Sequence, residues 1–386
     1  MGSYDLVVVG AGMGGVAAAL AASRHHKNVL LVERMYAVGG LATLGLITIY
    51  LPLCDGAGRQ VCYGLNDELL HLAIKNGYED KYPDTWLFSP MQAHGGQRFE
   101  VGYNAQVFAI EMEQELLKAG CTVLYGTLVV GVEKEDKRIV GLYLENKSGR
   151  QFVQTKAVVD ATGDADVCVF AGMRTRTYEK KNPLAAWYYE TTQGKTVRRM
   201  LGASDIPNTN AFAEAPLSVG TTRFQGLDAR ELSDMMIASH AKSLSHFLAH
   251  GEVSPQHSLA TIATIPQVRM TRCLIGDGVF SEKNSHMAVE NSVGLISDWR
   301  KAGPVFEIPF DCLYASSVSN LAVTGRCISV TDSMWDITRV IPPAVATGQA
   351  AGTAFALADD LTTIDVSQLQ DLLRDDGVII HEKELS

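Results

Sequence analysis

A glycine pattern near the N-terminus, Gly10-x-Gly12-x-x-Gly15, limits the folds open to this sequence more than any other segment. It follows the apolar residues 4–9, opens an Ala-rich stretch to about residue 24, and precedes a second apolar run at 28–32. This order predicts a β-α-β unit whose glycines let the backbone approach a pyrophosphate at a helix N-terminus. Glu33 ends the second run, where a carboxylate can accept hydrogen bonds from adenosine ribose hydroxyls. The unit is therefore predicted to bind a dinucleotide.

Composition and charge narrow the functional classes. With 386 residues, 47% hydrophobic and 20% charged, the chain can form two or three domains of about 150 residues, and we expect a soluble globular protein. A net charge of −10 argues against a nucleic-acid partner, because an acidic surface repels phosphates. We find no apolar run of about 18 residues and no N-terminal basic segment with a cleavage site. We therefore expect no membrane span and a cytoplasmic location.

The seven cysteines are interpreted as reduced, mostly buried thiols. They form no CxxC pair, and an odd number cannot all pair within one chain. Zinc and dithiol chemistry are thus disfavoured, and no metal site is expected. Cys54 and Cys62 flank a segment near the expected ligand, but their spacing is longer than that of a redox dithiol. Structural thiols that pack as small hydrophobes are the favoured interpretation for both.

The rest of the chain also alternates between helical and strand patterns. Residues 104–119 carry apolar residues at helical spacing and end at Gly120, which predicts an amphipathic helix. Further strands are expected at 121–124, 128–132, 139–145, 152–159 and 320–323, and further helices at 344–358 and after Asp365. Turn-like residues separate the second, third and fourth of these strands, which predicts an antiparallel meander that returns into the core.

FAD and NAD both use the first unit, and three further segments favour FAD. Residues 39–45, Gly-Gly-Leu-Ala-Thr-Leu-Gly, are small enough to let backbone lie against phosphate or flavin. The meander ends in residues 158–164, Val-Val-Asp-Ala-Thr-Gly-Asp. Residues 320–326 precede Arg339 and a small-residue helical stretch at 346–352.

On these residues the chain resembles the glutathione-reductase-type FAD-dependent oxidoreductases. It resembles most closely the broad FAD-dependent oxidoreductase family related to thiazole synthases and to the flavin subunit of heterodisulfide reductases. Residues 1–56, 104–172 and 305–380 match in order and spacing, including Ala161-Thr162-Gly163 and the stretch at 325–329. Residues 175–300 match loosely.

The patterns and the resemblance together predict an α/β fold. A Rossmann-like FAD-binding domain, with a parallel sheet plus a β-meander, is interleaved with a mixed α+β substrate domain. We assign residues 1–60, 104–172 and 305–386 to the first domain, and residues 61–103 and 173–304 to the second.

The resemblance implies FAD that is bound noncovalently. Its pyrophosphate would lie over residues 10–15, and its adenosine ribose would meet Glu33 with Arg34 beside it. The adenine would rest near Val130 and Ala161.

The isoalloxazine would lie between residues 40–45 and the N-terminus of a helix that begins near Ala344. The helix dipole would stabilise negative charge at flavin N1 and O2 on reduction. Many relatives place an Asp after the late glycine to hold the ribityl chain, whereas Gly325 is followed by Arg326 here. The implied cofactor-binding residues are Gly10, Ala11, Gly12, Gly14, Gly15, Glu33, Arg34, Gly40, Leu41, Ala42, Thr43, Val130, Ala161, Thr162, Gly163, Gly325, Arg326, Arg339 and Ala344.

Because flavin performs the redox step, the protein is expected to orient substrate, tune the ring and move a proton. Arg339 is a catalytic candidate that could bind a substrate carboxylate or raise the flavin potential, against a structural ion pair. Arg269 and Arg272 are candidates for an anion clamp. His257 and His94 are candidates for a general acid or base, against solvated surface histidines. Arg339, Arg269 and His257 form the assigned catalytic set.

The sequence is interpreted as an FAD-dependent oxidoreductase that moves hydride between a small organic substrate and flavin N5. Trp187, Tyr188 and Tyr189 either line an apolar substrate pocket or pack in the core. Only one GxGxxG is present, so electrons would come from substrate, from transiently bound NAD(P)H or from a redox partner. Two alternatives stay open: a flavin-binding electron-transfer subunit, and a thiazole-synthase-like enzyme that uses a nucleotide as substrate. A homo-oligomer is also left open.

Overall fold

The computed structural model describes residues 2–57, 59–76, 100–202 and 222–385. The helices of these residues are α1 (Met13–Arg24), α2 (Leu65–Lys75), α3 (Ala105–Lys118), α4 (Asp166–Phe170), α5 (Ala229–Ala249), α6 (Asp332–Thr338), α7 (Ile341–Leu357) and α8 (Val366–Asp375). The strands are β1 (Ser3–Val9), β2 (Val29–Val32), β3 (Ile49–Tyr50), β4 (Val101–Gly102), β5 (Thr122–Leu124), β6 (Leu128–Glu135), β7 (Arg138–Asn146), β8 (Gly149–Asp160), β9 (Thr175–Thr177), β10 (Asn182–Pro183), β11 (Tyr188–Thr192), β12 (Lys195–Arg199), β13 (Arg223–Phe224), β14 (His257–Ile262), β15 (Arg272–Leu274), β16 (Ser292–Ser297), β17 (Val305–Pro309) and β18 (Leu321–Val323).

The main sheet combines a parallel part and an antiparallel part on one long strand. The second half of β8 pairs in parallel with β1 on one side and with β18 on the other, and β1 continues through β2 to β5. The first half of β8 pairs antiparallel with β7, which pairs with β6. The meander predicted from the sequence therefore returns into the parallel sheet. The carboxyl ends of the parallel strands share one edge, where α/β folds bind ligands.

Hydrophobic content explains which strands occupy the centre of this sheet. All four residues of β2 are buried, as are the last four residues of β1. Parallel strands covered by helices on both faces have such continuous apolar runs rather than alternation. The β-α-β unit predicted for the start of the chain is therefore confirmed.

Side-chain caps fix two of the predicted helices. The Asn104 side chain accepts hydrogen bonds from the backbone N–H groups of Gln106 and Val107, so α3 begins where the sequence predicted. Asp365 caps α8 by accepting from the Ser367 N–H. Helix α7 begins at Ile341, three residues before the predicted start, because proline suits a first helical turn.

Small residues let α1 and α7 pack backbone against backbone. A Cβ atom on Gly348 would lie 2.2 Å from the Gly14 carbonyl oxygen, and one on Gly352 would lie 2.3 Å from that of Ala18. Distances below 3.0 Å are not found for real Cβ atoms, so larger residues would separate the helices. The close packing brings the N-termini of both helices to the carboxyl edge of the sheet.

Residues between β8 and β18 form short strands around one long helix. Strand β11 pairs antiparallel with β12 and β14, and α5 packs against this three-stranded sheet through Phe247 and its neighbours. This region is mixed α+β, as predicted. Among the described residues, no helix combines the length and apolar character needed to cross a membrane. The same residues contain no cluster of three or more His, Cys, Asp or Glu that could hold a metal.

Candidate functional site

A cavity of about 600 Å³ lies at the carboxyl edge of the main sheet. It begins over the turn between β1 and α1, passes the end of β2 and the start of β6, and reaches the N-terminus of α7. Its far end lies among residues of the mixed region, including Trp187 and Arg269. The cavity therefore joins both sequence regions predicted to meet at a cofactor.

The glycines of the first turn have two separate roles. A Cβ on Gly10 would lie 2.6 Å from the Ala161 carbonyl oxygen, and one on Gly15 would lie 1.9 Å from that of Gly10. These two glycines permit close packing of helix and strands. A Cβ on Gly12 would meet no protein atom within 4 Å, yet Gly12 lines the cavity. The turn thus leaves open space over Gly12, which we call the Gly12 cradle, and no side chain caps α1 there.

Glu33 occupies the place predicted for a ribose-binding carboxylate. It is 7% exposed and lines the cavity beside Arg34. Its Oε2 accepts from the Ala11 N–H at 2.7 Å and its Oε1 from the Met35 N–H at 2.8 Å. Each oxygen keeps a further lone pair for a ligand hydroxyl.

The N-terminus of α7 faces the cavity without a side-chain cap. Val340, Ile341 and Ala344 line the cavity there. Pro342 and Pro343 lack N–H groups, and the Ala344 N–H is bonded to the Val340 carbonyl at 3.1 Å. The first turn therefore offers the Ile341 N–H together with the positive end of a 17-residue helix.

Arg326 has a structural role that its sequence position did not reveal. Its Nε donates to the Gly163 carbonyl at 2.5 Å, and its Nη2 donates to Asp164 at 2.8 Å. The guanidinium thus holds the turn after β8 against the turn after β18. Asp160 orients the turn after β8, because its carboxylate accepts hydrogen bonds from the Thr162 N–H and hydroxyl.

Most of the residues predicted from the sequence lie along one cavity. The predicted residues that line it are Gly10, Gly12, Gly14, Glu33, Arg34, Gly40, Leu41, Ala42, Ala161, Thr162, Gly163, Arg269, Gly325, Arg326, Arg339 and Ala344. Ala11, Gly15 and Thr43 lie behind this lining: Gly15 packs on Gly10, and the Thr43 hydroxyl donates to the Val38 carbonyl at 2.6 Å.

Val130 and His257, which were also predicted, do not line the cavity either. Val130 is 37% exposed, whereas its neighbours Leu128 and Val129 line the cavity at the start of β6. Val130 itself does not line the cavity, and its approach to the adenine stays a prediction. His257 also lies away from the cavity, because its ring stacks on Phe247 with centroids 4.7 Å apart. It cannot act on a ligand in this cavity from that position.

The far end of the cavity combines two tryptophans and two arginines. The Arg269 guanidinium lies 5.7 Å from the ring centre of Trp187, and that of Arg339 lies 5.5 Å from the ring centre of Trp299. Both arginines are less than a tenth exposed. Arg339 is paired with Asp336 at 2.7 Å. A guanidinium near an aromatic ring is attracted to the face of that ring.

Arg269 has a hydrogen bond but no carboxylate partner among the described residues. Its Nη1 donates to the Gln267 carbonyl at 2.9 Å. Burial, and then the positive charge of Arg339, lower the pKa of Arg269 to about 9, and Asp336 acts in the opposite direction. An anion in the cavity would offset this cost, because it would favour the charged guanidinium.

Other sequence candidates lie elsewhere. Arg272 donates to the Asp164 carbonyl and pairs with Asp166, so it does not form a clamp with Arg269. Tyr188 and Tyr189 pack in the interior and do not line the cavity, whereas Trp187, which is also buried, lines it. His94 lies outside the described residues. Cys54 and Cys62 are free and buried, and burial raises the pKa of Cys62 to about 12, so it is a thiol at neutral pH.

Sequence reasoning missed Val129, Trp299 and Asp336. Val129 could have been found by testing both alternation phases of β6. Trp299 carries no such signal, because its partners Asp336 and Arg339 are distant in sequence. Asp336 precedes Arg339 by three residues, a spacing that could have suggested their ion pair on a helix.

The main sheet and its cavity define an α/β protein of the dinucleotide-binding class. A family model described as FAD dependent oxidoreductase matches residues 5–184 and 182–373. The chain therefore belongs to the family of FAD-dependent oxidoreductases. The residues present fit that cofactor, since a side chain on Gly12 would enter the cavity and Glu33 lies beside it.

Curated relatives match parts of the chain. Thioredoxin reductase of Ureaplasma parvum is 36% identical over 76 residues, 20% of this chain and 25% of that protein. Vinyl phenol reductase of Lactiplantibacillus plantarum is 28% identical over 42% of this chain and 38% of its own length. Digeranylgeranylglycerophospholipid reductase of Methanocaldococcus jannaschii is 27% identical over 47% and 42%. The matches span less than half the length of each of these relatives.

Among solved structures, the chain is similar to a geranylgeranyl bacteriochlorophyll reductase-like protein from Thermoplasma acidophilum. The identity is 14%, the TM-score is 0.44, and the match covers 98% of this chain and 83% of that one. THI4 of Thermovibrio ammonificans is 23% identical with a TM-score of 0.32, and the match covers 48% and 68% of the two chains.

Proposed function

We propose that the chain binds one FAD noncovalently along the cavity and oxidises or reduces a small organic substrate at the tryptophan end. The observation that supports this most strongly is the continuous cavity from the Gly12 cradle to Trp187 and Arg269. Bound FAD would supply hydride transfer to or from its N5 atom. The assignment of residues 1–60, 104–172 and 305–386 to FAD binding, and of 61–103 and 173–304 to the substrate, belongs to the same proposal.

In this proposal the protein binds and orients the cofactor with few side chains. The amides at the start of α1 would hold the pyrophosphate over Gly12, and Glu33 would accept from ribose hydroxyls. Leu128 and Val129 would cover the adenine. The Ile341 N–H and the dipole of α7 would favour negative charge at the pyrimidine side of the ring.

At the substrate end, apolar side chains would exclude water from the cavity. Trp187, Trp299, Met200 and Ile49 give this part of the cavity apolar walls. Water exclusion strengthens the electrostatic effect of Arg269 and Arg339 on any charge in the cavity.

The direction of the reaction is proposed as reduction of an organic acceptor. The three curated relatives named above all carry the name reductase. The electrons would come from NADH or NADPH. Because the sequence carries one GxGxxG, which is assigned to FAD, the nicotinamide nucleotide would have no fingerprint of its own and would bind transiently. A redox protein partner is the second source to test.

The experiment is anaerobic. The visible spectrum of the purified protein, reconstituted with FAD where needed, is recorded before and after addition of NADH and then NADPH. We expect a bound flavin spectrum that bleaches with one of the two. Bleaching by dithionite but not by either nucleotide would point to a donor substrate or a partner. Failure to bind FAD would overturn the proposal.

A further inference from the structure

We propose that the substrate is an apolar organic monocarboxylate, with its carboxylate on Arg269 and its body against Trp187 and Trp299. This inference deepens the proposed function and rests on it. It assigns a substrate class to the cavity end that the family match leaves open.

Of the two arginines that line this end of the cavity, one has no carboxylate partner among the described residues. Arg339 pairs with Asp336 at 2.7 Å. Arg269 is therefore the arginine of this end whose charge faces the cavity without a carboxylate. A ligand with one negative charge would neutralise it.

The position of Arg269 is fixed before any ligand binds. It is 6% exposed, its Nη1 donates to the Gln267 carbonyl, and its guanidinium carbon lies 5.7 Å from the centre of the Trp187 ring. Its other N–H groups have no acceptor in the described structure, although it lines the cavity. A buried cation is costly unless it is paired, so the site favours an anion on those donors. The lowered pKa of Arg269 has the same physical origin.

The walls argue for an apolar body rather than a sugar or a nucleotide. Trp187, Met200, Trp299 and Ile49 line the cavity near Arg269, and Ile265 and Leu51 extend the apolar surface. Two indole rings offer faces for a flat, unsaturated group. A planar guanidinium matches a carboxylate through two parallel hydrogen bonds. These features together select a carboxylate on an apolar group.

The proposal is tested with benzoate as the probe, benzamide as its uncharged analogue and phenyl phosphate as a more highly charged one. Each is titrated into the oxidised flavoprotein, with the change in flavin absorbance and the shift in Tm as readouts. We expect benzoate to bind at least about 10-fold more tightly than benzamide, because only the carboxylate forms charge-assisted hydrogen bonds with the Arg269 guanidinium. Equal binding of the two, or tighter binding of phenyl phosphate, would overturn the proposal.

The variant Arg269→Gln separates the substrate role from a role toward the flavin. We expect benzoate affinity to fall by about 10- to 100-fold and benzamide affinity to stay unchanged. Arg269→Lys should recover part of the benzoate affinity. Arg198→Gln is the matched control, because the Arg198 guanidinium also lies over Trp187, at 5.9 Å, but does not line the cavity. It should bind benzoate like the wild type.

Flavin content and dithionite reduction are measured for every variant. A variant Arg269→Gln that keeps FAD, shows a shifted reduction potential and binds benzoate normally would assign Arg269 to the flavin and refute the carboxylate. Should that variant lose FAD, the wild-type comparison of benzoate with benzamide still decides. Failure of the proposed function is distinct, since it would appear as absence of FAD binding in the wild type.

Discussion

At the residue scale, Gly12 and Gly15 belong to one motif but have different physical constraints. A Cβ on Gly12 has open space, whereas one on Gly15 would lie 1.9 Å from the Gly10 carbonyl oxygen. We expect Gly12→Ala to fold with a Tm near that of the wild type but to bind FAD at least about 10-fold more weakly, a loss of about 1.4 kcal/mol. Gly15→Ala should lower the Tm of the apoprotein itself. Thermal unfolding without FAD and FAD titration measure the two effects, and equal apoprotein Tm values for both variants would contradict this division.

A second residue-scale prediction concerns Asp166, which lines the cavity and pairs with Arg272. Burial, then Asp164 and Asp160, raise the pKa of Asp166 to about 6. Between about pH 4 and pH 6 the folded protein keeps a proton that the unfolded chain has lost, so this carboxyl's contribution to stability falls as the pH rises. We expect the Tm of Asp166→Asn minus the Tm of the wild type to increase as the pH rises from 4 to 7.

The gain should be small, because the Asp166 side chain is 43% exposed and solvent screens its interactions. The control is Asp371→Asn, a substitution at an exposed position of α8. Its Tm difference from the wild type should change less over the same range. A larger pH dependence for the control than for Asp166→Asn would show that the local explanation is wrong.

Residues of the site differ in how well the sequence predicts them. Gly12 and Glu33 follow from spacing, because a short β-α-β unit leaves few geometries for its turn. A short apolar strand does not show which of its residues face a ligand, so the sequence alone does not separate Val129, which lines the cavity, from Val130, which does not. Arg326 has the expected location, but its bonds to Gly163 and Asp164 depend on how distant turns meet.

At the element scale, the site depends on how closely α1 and α7 approach. Gly348→Ala would place a Cβ 2.2 Å from the Gly14 carbonyl oxygen, so the helices must separate. We expect a loss of about 1–3 kcal/mol in the free energy of unfolding, with weaker FAD binding, since both helix N-termini border the cavity. Denaturant unfolding and FAD titration check this. Gly131→Ala is the control, because its Cβ would meet only Tyr143 at 3.6 Å.

Elements in the two parts of the chain also differed in predictability. The meander and α3 carry alternation, turn residues and a cap within single segments. Strands β9 to β15 are two to six residues long, and several pair with strands far away in sequence, as β9 does with β15. Local patterns cannot encode such pairings, so the tryptophan end of the cavity becomes visible only in three dimensions.

At the scale of the whole molecule, the cavity is built from both ends and the middle of the chain. Gly12, Val129, Trp187 and Ile341 all line it, so a ligand there contacts segments that the sequence assigns to two interleaved domains. A ligand that binds only the folded state stabilises it by about 2.7 kcal/mol at a free concentration of about 100 times its Kd. FAD should therefore stabilise both domains together.

We accordingly expect flavin release and loss of secondary structure to coincide on heating, with a Tm that rises with FAD concentration. Flavin fluorescence reports release and far-ultraviolet circular dichroism reports unfolding of the backbone in the same sample. The interleaved arrangement supports one transition, because β8 and β18 of the main sheet flank the residues of the mixed region in the chain. Flavin release well below the main unfolding transition would instead show that the domains separate, and that the cofactor is held by their contact rather than by the Gly12 cradle alone.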